Sequence, residues 1–334
     1  MNLMSFDAAL PVIFMALMGL SMLVYVISDG YDLGVGMLMH RATDAEKDVM
    51  VASIGPFWDA NETWLVLGVG ILLVAFPLAH GVILGGLYLP VAFMLIGLIL
   101  RGVAFDFRVK AHADHKPLWN RLFFLGSTLA AFAQGFMLGI YIVGFNYSFA
   151  GMLFAAFIGL GLIAGYSLLG ATWLIIKSER TLYTRALRWA RRSLWLTGLG
   201  IAAVSVATPL VSARIFEKWF TLPHLLMLSP IPLLTALLFI ACELSLRRLV
   251  RGEQKRIWLP FACAVGLFVL AFIGLTYSLF PFLVVDRITY LQAASAPESL
   301  QFMLVGIAIT LPAILGYTAY SYRVFWGKTR ELTY

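Results

Sequence analysis

The sequence predicts an all-α integral membrane protein with nine transmembrane helices. Three observations carry this. Of 334 residues, 61% are hydrophobic and only 12% charged, whereas an ordinary soluble domain carries about 25% charged residues. Apolar stretches recur along the chain, each near the roughly 20 residues a helix needs to cross a hydrocarbon core. The basic residues fall almost wholly in alternate connections, the pattern left when cations are retained on one side of a membrane.

The first span is expected over residues 8–28. Its apolar run is too long for a signal-peptide core, and Ser28-Asp29-Gly30-Tyr31-Asp32 follows it instead of a small-residue cleavage site. The second, 51–76, contains Gly55-Pro56-Phe57-Trp58-Asp59-Ala60-Asn61-Glu62-Thr63-Trp64. There Pro56 suits a first helical turn, and Asp59 and Glu62 share a face one turn apart. Spans three to nine are expected over 81–101, 120–143, 150–176, 194–212, 223–246, 257–280 and 300–322. The connections are short, so residues 1–334 form one membrane domain.

Two stretches of the first half return in the second. Gly30-Tyr31-Asp32-Leu33 matches Gly165-Tyr166-Ser167-Leu168, and Trp64-Leu65 up to Pro77-Leu78 matches Trp195-Leu196 up to Pro209-Leu210. Four helices per copy would keep both copies in one orientation, a parallel repeat; the matches are short, and chance similarity is the competing reading. The repeat predicts two four-helix bundles, over about 1–147 and 148–282, with a ninth helix and tail over 283–334. The second copy lacks the carboxylates of the first.

Orientation follows from the cations. Of the 24 Lys and Arg, only Arg214, Lys218 and Arg287 lie on one side. The crowded side is cytoplasmic, which puts the N-terminus in the periplasm and the C-terminus in the cytoplasm. The net charge of +7 is thus a mark of topology and implies no nucleic-acid partner. Cys242 and Cys263 show no metal or redox spacing and read as small buried side chains.

Chemistry concentrates in three places: Asp29 and Asp32 after span one, Asp59 and Glu62 at the start of span two, and Arg101 with Asp106 at the end of span three. All fall at the cytoplasmic end. Ionisable groups in or near hydrocarbon cost about 2.5–3.5 kcal/mol even on mild scales and tend to be functional. Clustered carboxylates raise one another's pKa, and a nearby Arg lowers it. Two readings stand open: a proton path into the membrane, or cap, loop and salt-bridge residues such as Arg101 with Asp59 or Asp106. Gly30, Gly34 and Gly36 suit either a turn or close helix packing, and Glu243 is expected to pair with Arg247.

His40, His112 and His115 fall in loops and His80 and His224 at outer span ends, so no mid-span pair suits bis-axial haem ligation. No phosphate loop, nucleophile elbow or zinc spacing occurs. The chain is therefore expected to hold no metal or catalytic residue of its own. Two functional classes remain, a stand-alone proton-coupled transporter and an accessory subunit that supports redox chemistry on a partner.

Three linked motifs separate them. Asp29-Gly30-Tyr31-Asp32-Leu33-Gly34-Val35-Gly36, Gly55-Pro56-Phe57-Trp58-Asp59-Ala60-Asn61-Glu62-Thr63-Trp64-Leu65 and Arg101-Gly102-Val103-Ala104-Phe105-Asp106-Phe107-Arg108 together resemble subunit II of the cytochrome bd-type quinol oxidases. The resemblance covers the whole chain, and Trp-Asp-Ala-Asn-Glu-Thr-Trp is closer to the cyanide-insensitive branch. It implies a multi-pass subunit of the bacterial inner membrane, without haem, beside a subunit I that carries two b-type haems and one d-type haem. It also implies a structural quinone, lipid contacts and a small single-helix subunit. The complex would be electrogenic, oxidising quinol and reducing oxygen to water. By motif position, Asp59 and Asp106 would lie on its cytoplasmic proton route with Glu62 beside them. Asp29 or Asp32 would stand near the mouth, Arg101 would be their charge partner, and Trp64 would lie near oxygen access from the lipid.

Overall fold

The computed structural model describes residues 3–112, 114–211, 213–253 and 255–329. The chain begins with α1 (Leu3–Leu38), a 3₁₀ turn over Met39–Arg41, α2 (Asp44–Ile54), α3 (Trp58–Ala75) and α4 (Pro77–Lys110). Next come α5 (Lys116–Ile142), α6 (Phe149–Lys177), α7 (Arg180–Val211) and the short α8 (Ala213–Phe220) and α9 (His224–Leu228). Then follow α10 (Pro230–Val250), α11 (Leu259–Leu279), a hairpin of β1 (Phe282–Val284) with β2 (Ile288–Thr289), α12 (Tyr290–Ala293) and α13 (Pro297–Val324). Among the described residues nine helices are long and apolar enough to cross a membrane. Pro11, Pro90, Pro209 and Pro312 lie inside such helices, a placement membrane helices tolerate because neighbours satisfy the freed backbone groups.

Several span boundaries differ from the sequence expectation, among them the end of the third, which lies at Lys110, the last residue of α4, and not at 101. α1 does not stop at residue 28 but continues through Asp29 and Asp32 to Leu38, because its glycines serve packing rather than a turn. Residues 51–57 do not belong to the second span. Thr43 and Glu46 form a capping box that starts the separate helix α2, and α3 begins only at Trp58, with Pro56 in the intervening turn rather than in a first helical turn. The sixth span starts at Arg180, not 194. Leu182, Ala186, Leu187, Ala190 and Leu194 are buried at helical spacing while its arginines take the other face.

The chain divides into two compact units assembled from non-contiguous segments. One gathers Met1–Asp29, Pro56–Gly86 and Leu279–Trp326. In it a Cβ on Gly68 of α3 would meet Met22 Sδ of α1 at 2.7 Å, so α3 lies directly on α1. Ser295, after the hairpin, donates from its N–H to Ala75 O at 2.9 Å and from its hydroxyl to Val74 O at 2.6 Å, which satisfies carbonyls at the end of α3.

The second unit holds Gly30–Gly55, Leu87–Ser278 and Gly327–Tyr334. Small residues let its helices touch backbone to backbone, as membrane helices do. A Cβ on Gly97 of α4 would lie 2.7 Å from Ala130 N of α5, and one on Gly135 of α5 would lie 2.7 Å from Gly159 Cα of α6. Glu243 of α10 accepts from Arg247 at 2.7 Å, as expected, and also from Arg191 of α7 at 2.9 Å.

Candidate functional site

Asp29 and Asp32 sit one turn apart on α1, both with no exposed surface. Their depth comes from the glycines around them. In the second unit a Cβ on Gly34 would lie 2.7 Å from the Tyr166 carbonyl carbon and 2.9 Å from Gly170 N, so α1 and α6 cross in backbone contact. Gly36 lies as tightly on α5, its added Cβ 2.8 Å from the Phe123 ring and 2.9 Å from Ser127 Cβ. Tyr31, between the aspartates, stacks on Trp173 with ring centres 4.4 Å apart, and Trp173 Nε1 donates to Ser53 O of α2 at 3.2 Å.

Arg101 is 1% exposed. A Cβ on Gly126 of α5 would lie 2.7 Å from Arg101 N. The neighbouring Ser127 is the residue on which Gly36 packs, so one stretch of α5 receives both Arg101 and the Asp32 end of α1. Asp106, further along α4, is exposed. It ends a stripe of exposed apolar residues, Ile96, Ile99 and Val103, at three- and four-residue spacing.

In the first unit, Asn61 of α3 is buried and its Nδ2 donates to Ser28 O of α1 at 3.4 Å. This bond lays the opening turns of α3 beside the turn that carries Asp29. Glu62 is half-buried, Trp64 is buried at 2% exposure, and Asp59 is exposed. Asp59 heads a face continued by Thr63, Val66 and Leu73, again apolar apart from its first turn.

Further polar residues, grouped around Arg108 and Glu46, carry structure that spacing along the chain did not assign. Arg108 is buried; its Nε donates to Asn120 Oδ1 at 2.6 Å and its NH2 nitrogen to Asp48 Oδ1 at 2.7 Å, with Lys116 Nζ 3.6 Å from the same oxygen. Asp48 and Arg108 are too far apart in the chain for spacing to reveal the pair. Glu46 was findable, because Thr43-Asp44-Ala45-Glu46 is a capping-box signature, its Thr43 and Glu46 three apart. Burial pushes the Glu46 carboxyl up, but the Thr43 N–H and hydroxyl and the Arg185 guanidinium outweigh it and hold its pKa below the ordinary value. Arg185 Nε lies 3.3 Å from Glu46 Oε1.

Two of the histidines, His40 and His224, have protein partners. His40 Nδ1 lies 2.7 Å from Met37 O and its Nε2 accepts from Arg41 Nε at 3.0 Å, while His224 Nδ1 is 2.9 Å from the Tyr277 hydroxyl. Among the described residues no three His, Cys, Asp or Glu side chains gather as a metal site.

A family model described as cytochrome bd terminal oxidase subunit II matches residues 10–325. The chain is 29% identical over 326 residues to cytochrome bd ubiquinol oxidase subunit 2 of Bacillus subtilis (strain 168), covering 89% of this chain and 90% of the relative. It is 26% identical over 362 residues to cytochrome bd-I ubiquinol oxidase subunit 2 of Escherichia coli (strain K12), covering 94% of each. Its fold matches a chain of the bd oxidase from Geobacillus thermodenitrificans with a TM-score of 0.78 at 17% identity, over 95% of this chain and 98% of that one.

Proposed function

The chain belongs to the cytochrome bd terminal oxidase subunit II family, and from that premise we propose that it is the haem-free second subunit of a quinol-oxidising, oxygen-reducing complex in a bacterial inner membrane. The haems, two b-type and one d-type, stand on subunit I and supply the electron transfer. Reducing one oxygen molecule to two waters takes four electrons and four protons. This chain's part is to admit protons from the cytoplasmic side, which makes the reaction electrogenic, and to brace the partner.

The observation that carries the reading is the position of Asp59 and Asp106, each exposed on this chain on a helix face otherwise apolar. A carboxylate facing lipid costs about 2.5–3.5 kcal/mol or more. A partner subunit that covers these faces and traps water against them removes that cost. Asp29 and Asp32, buried, and Glu62, half-buried, are the further stations of the relay, and Arg101 balances the charge of Asp32. Such a chain of carboxylates passes protons when its members lie within hydrogen-bond or one-water reach and titrate near working pH. Trp64 lines oxygen access. A quinone held for structure and a small single-helix subunit complete the assembly.

The test is Asp59→Asn and Asp106→Asn in the assembled complex. Oxygen consumption and the proton-coupled step should slow about tenfold or more, while haem reduction by quinol changes little. Unchanged turnover in an intact, fully haem-loaded complex refutes the relay role of that residue; loss of haem with poor assembly shows a structural role instead.

A further inference from the structure

The oxidase reading leaves one groove of the second unit unused. It has a volume of about 480 Å³ and runs between the end of α1, α5, α6 and α7. Its wall is apolar, with Phe124, Phe157 and Leu199, and two arginines reach it, Arg41 from the 3₁₀ turn after α1 and Arg192 from α7. Its lining along α7 extends from Trp189 to Gly200, a rise of about 16 Å. Gly161 forms part of the floor, and a Cβ there would meet no atom within 4 Å, so the space above it is open.

We propose that this groove holds an anionic membrane phospholipid, its phosphate between Arg41 and Arg192 and an acyl chain laid over Gly161. The level of the two cations supports a shared ligand. Arg185 of α7 donates to Arg41 O at 2.9 Å, and Arg192 lies seven residues, about 10 Å, further along the same helix, within the combined reach of two arginine side chains. Among the described residues no carboxylate pairs with either. A guanidinium has five N–H donors, and Arg41 is fixed by using one of them on His40. Both arginines belong to the cation-rich side, where basic pockets between transmembrane helices take anionic headgroups. A quinone headgroup is uncharged and gives two cations nothing to neutralise. The site rests on the groove alone and stands whether or not the proton relay does.

The whole complex is purified in detergent, washed, and its retained phospholipids and quinones are quantified by mass spectrometry. Wild type should keep anionic phospholipid, and the double variant Arg41→Gln/Arg192→Gln should lose most of it. Gly161→Leu, which fills the open floor, should lose it as well. Phosphatidylglycerol in mixed micelles should raise the melting temperature of wild type more than phosphatidylcholine, and this difference should vanish in the double variant. The proposal is overturned if both lipids stabilise wild type equally, if the arginine variant keeps its anionic lipid, or if Gly161→Leu releases a quinone instead. Should Gly161→Leu not assemble, the arginine variant decides by itself.

Discussion

Gly34→Ala should loosen the seam that buries Asp32. The added carbon would stand 2.7 Å from the Tyr166 carbonyl carbon and 2.9 Å from Gly170 N, whereas non-bonded carbon contacts settle near 3.5–4.0 Å. α1 and α6 must therefore part by roughly 1 Å, and because both opposing atoms are backbone no rotamer change relieves them. Overpacking costs about 1–3 kcal/mol; with no flexible atom in the way, the upper end applies. A loss of that size lowers a melting temperature by about 5 °C or more. The matched control is Gly306→Ala on α13, where the new carbon meets nothing within 4 Å and helix propensity gains up to about 1 kcal/mol. Thermal unfolding of the purified complex, followed by intrinsic fluorescence, compares the two. Equal melting temperatures for both variants refute backbone contact as the reason for Gly34.

Arg108→Lys should destabilise the adjoining ends of α4 and α5 by about 1–3 kcal/mol, because an ammonium cannot keep both arms of the fork and leaves Asn120 Oδ1 buried without its donor. Asp48→Asn, at a half-exposed carboxylate, should cost under about 1 kcal/mol; hydrogen exchange of α2 and α5 measures both, and equal costs would contradict the asymmetry. Glu46 titrates below its ordinary value of 4.5, so its contribution is present above that pH and is lost as the pH falls through the lower, folded value. Exchange of α2 amides should rise in acid in wild type and show no such acid-dependent step in Glu46→Gln; identical pH profiles would remove Glu46 as the cause.

What the sequence discloses here is set by the range of the physics. Apolar runs and cation placement act locally or through the whole membrane, so nine spans could be read directly. The end of α1 could not, because Asp29 and Asp32 look like the edge of the membrane until Gly34 and Gly36 are seen to admit α6 and α5. The start of α7 was legible in principle: Leu182, Ala186, Ala190 and Leu194 keep helical spacing through the arginines. Charge masked that period. Within the candidate site the motif residues were evident, but that Asp59 and Asp106 stand exposed while Asp29, Asp32 and Arg101 are buried depends on the packed chain. The Asp48–Arg108 pair joins segments that nothing in their own surroundings connects.

The short helix α2 bears on how the orientation itself can be mapped. It is fastened to α6 by the Trp173 bond to Ser53, to α4 by Arg108 and to α7 by Arg185. A reporter domain spliced into Asp44–Ile54 would tear all three fastenings at once and report on a damaged protein. The turn after α10 offers a better port. Gly252 there takes a positive φ of 93°, an added Cβ meets nothing within 4 Å, and its neighbours Arg251 and Glu253 are exposed. A fusion at that turn reads the sidedness of the chain while leaving the braced end untouched.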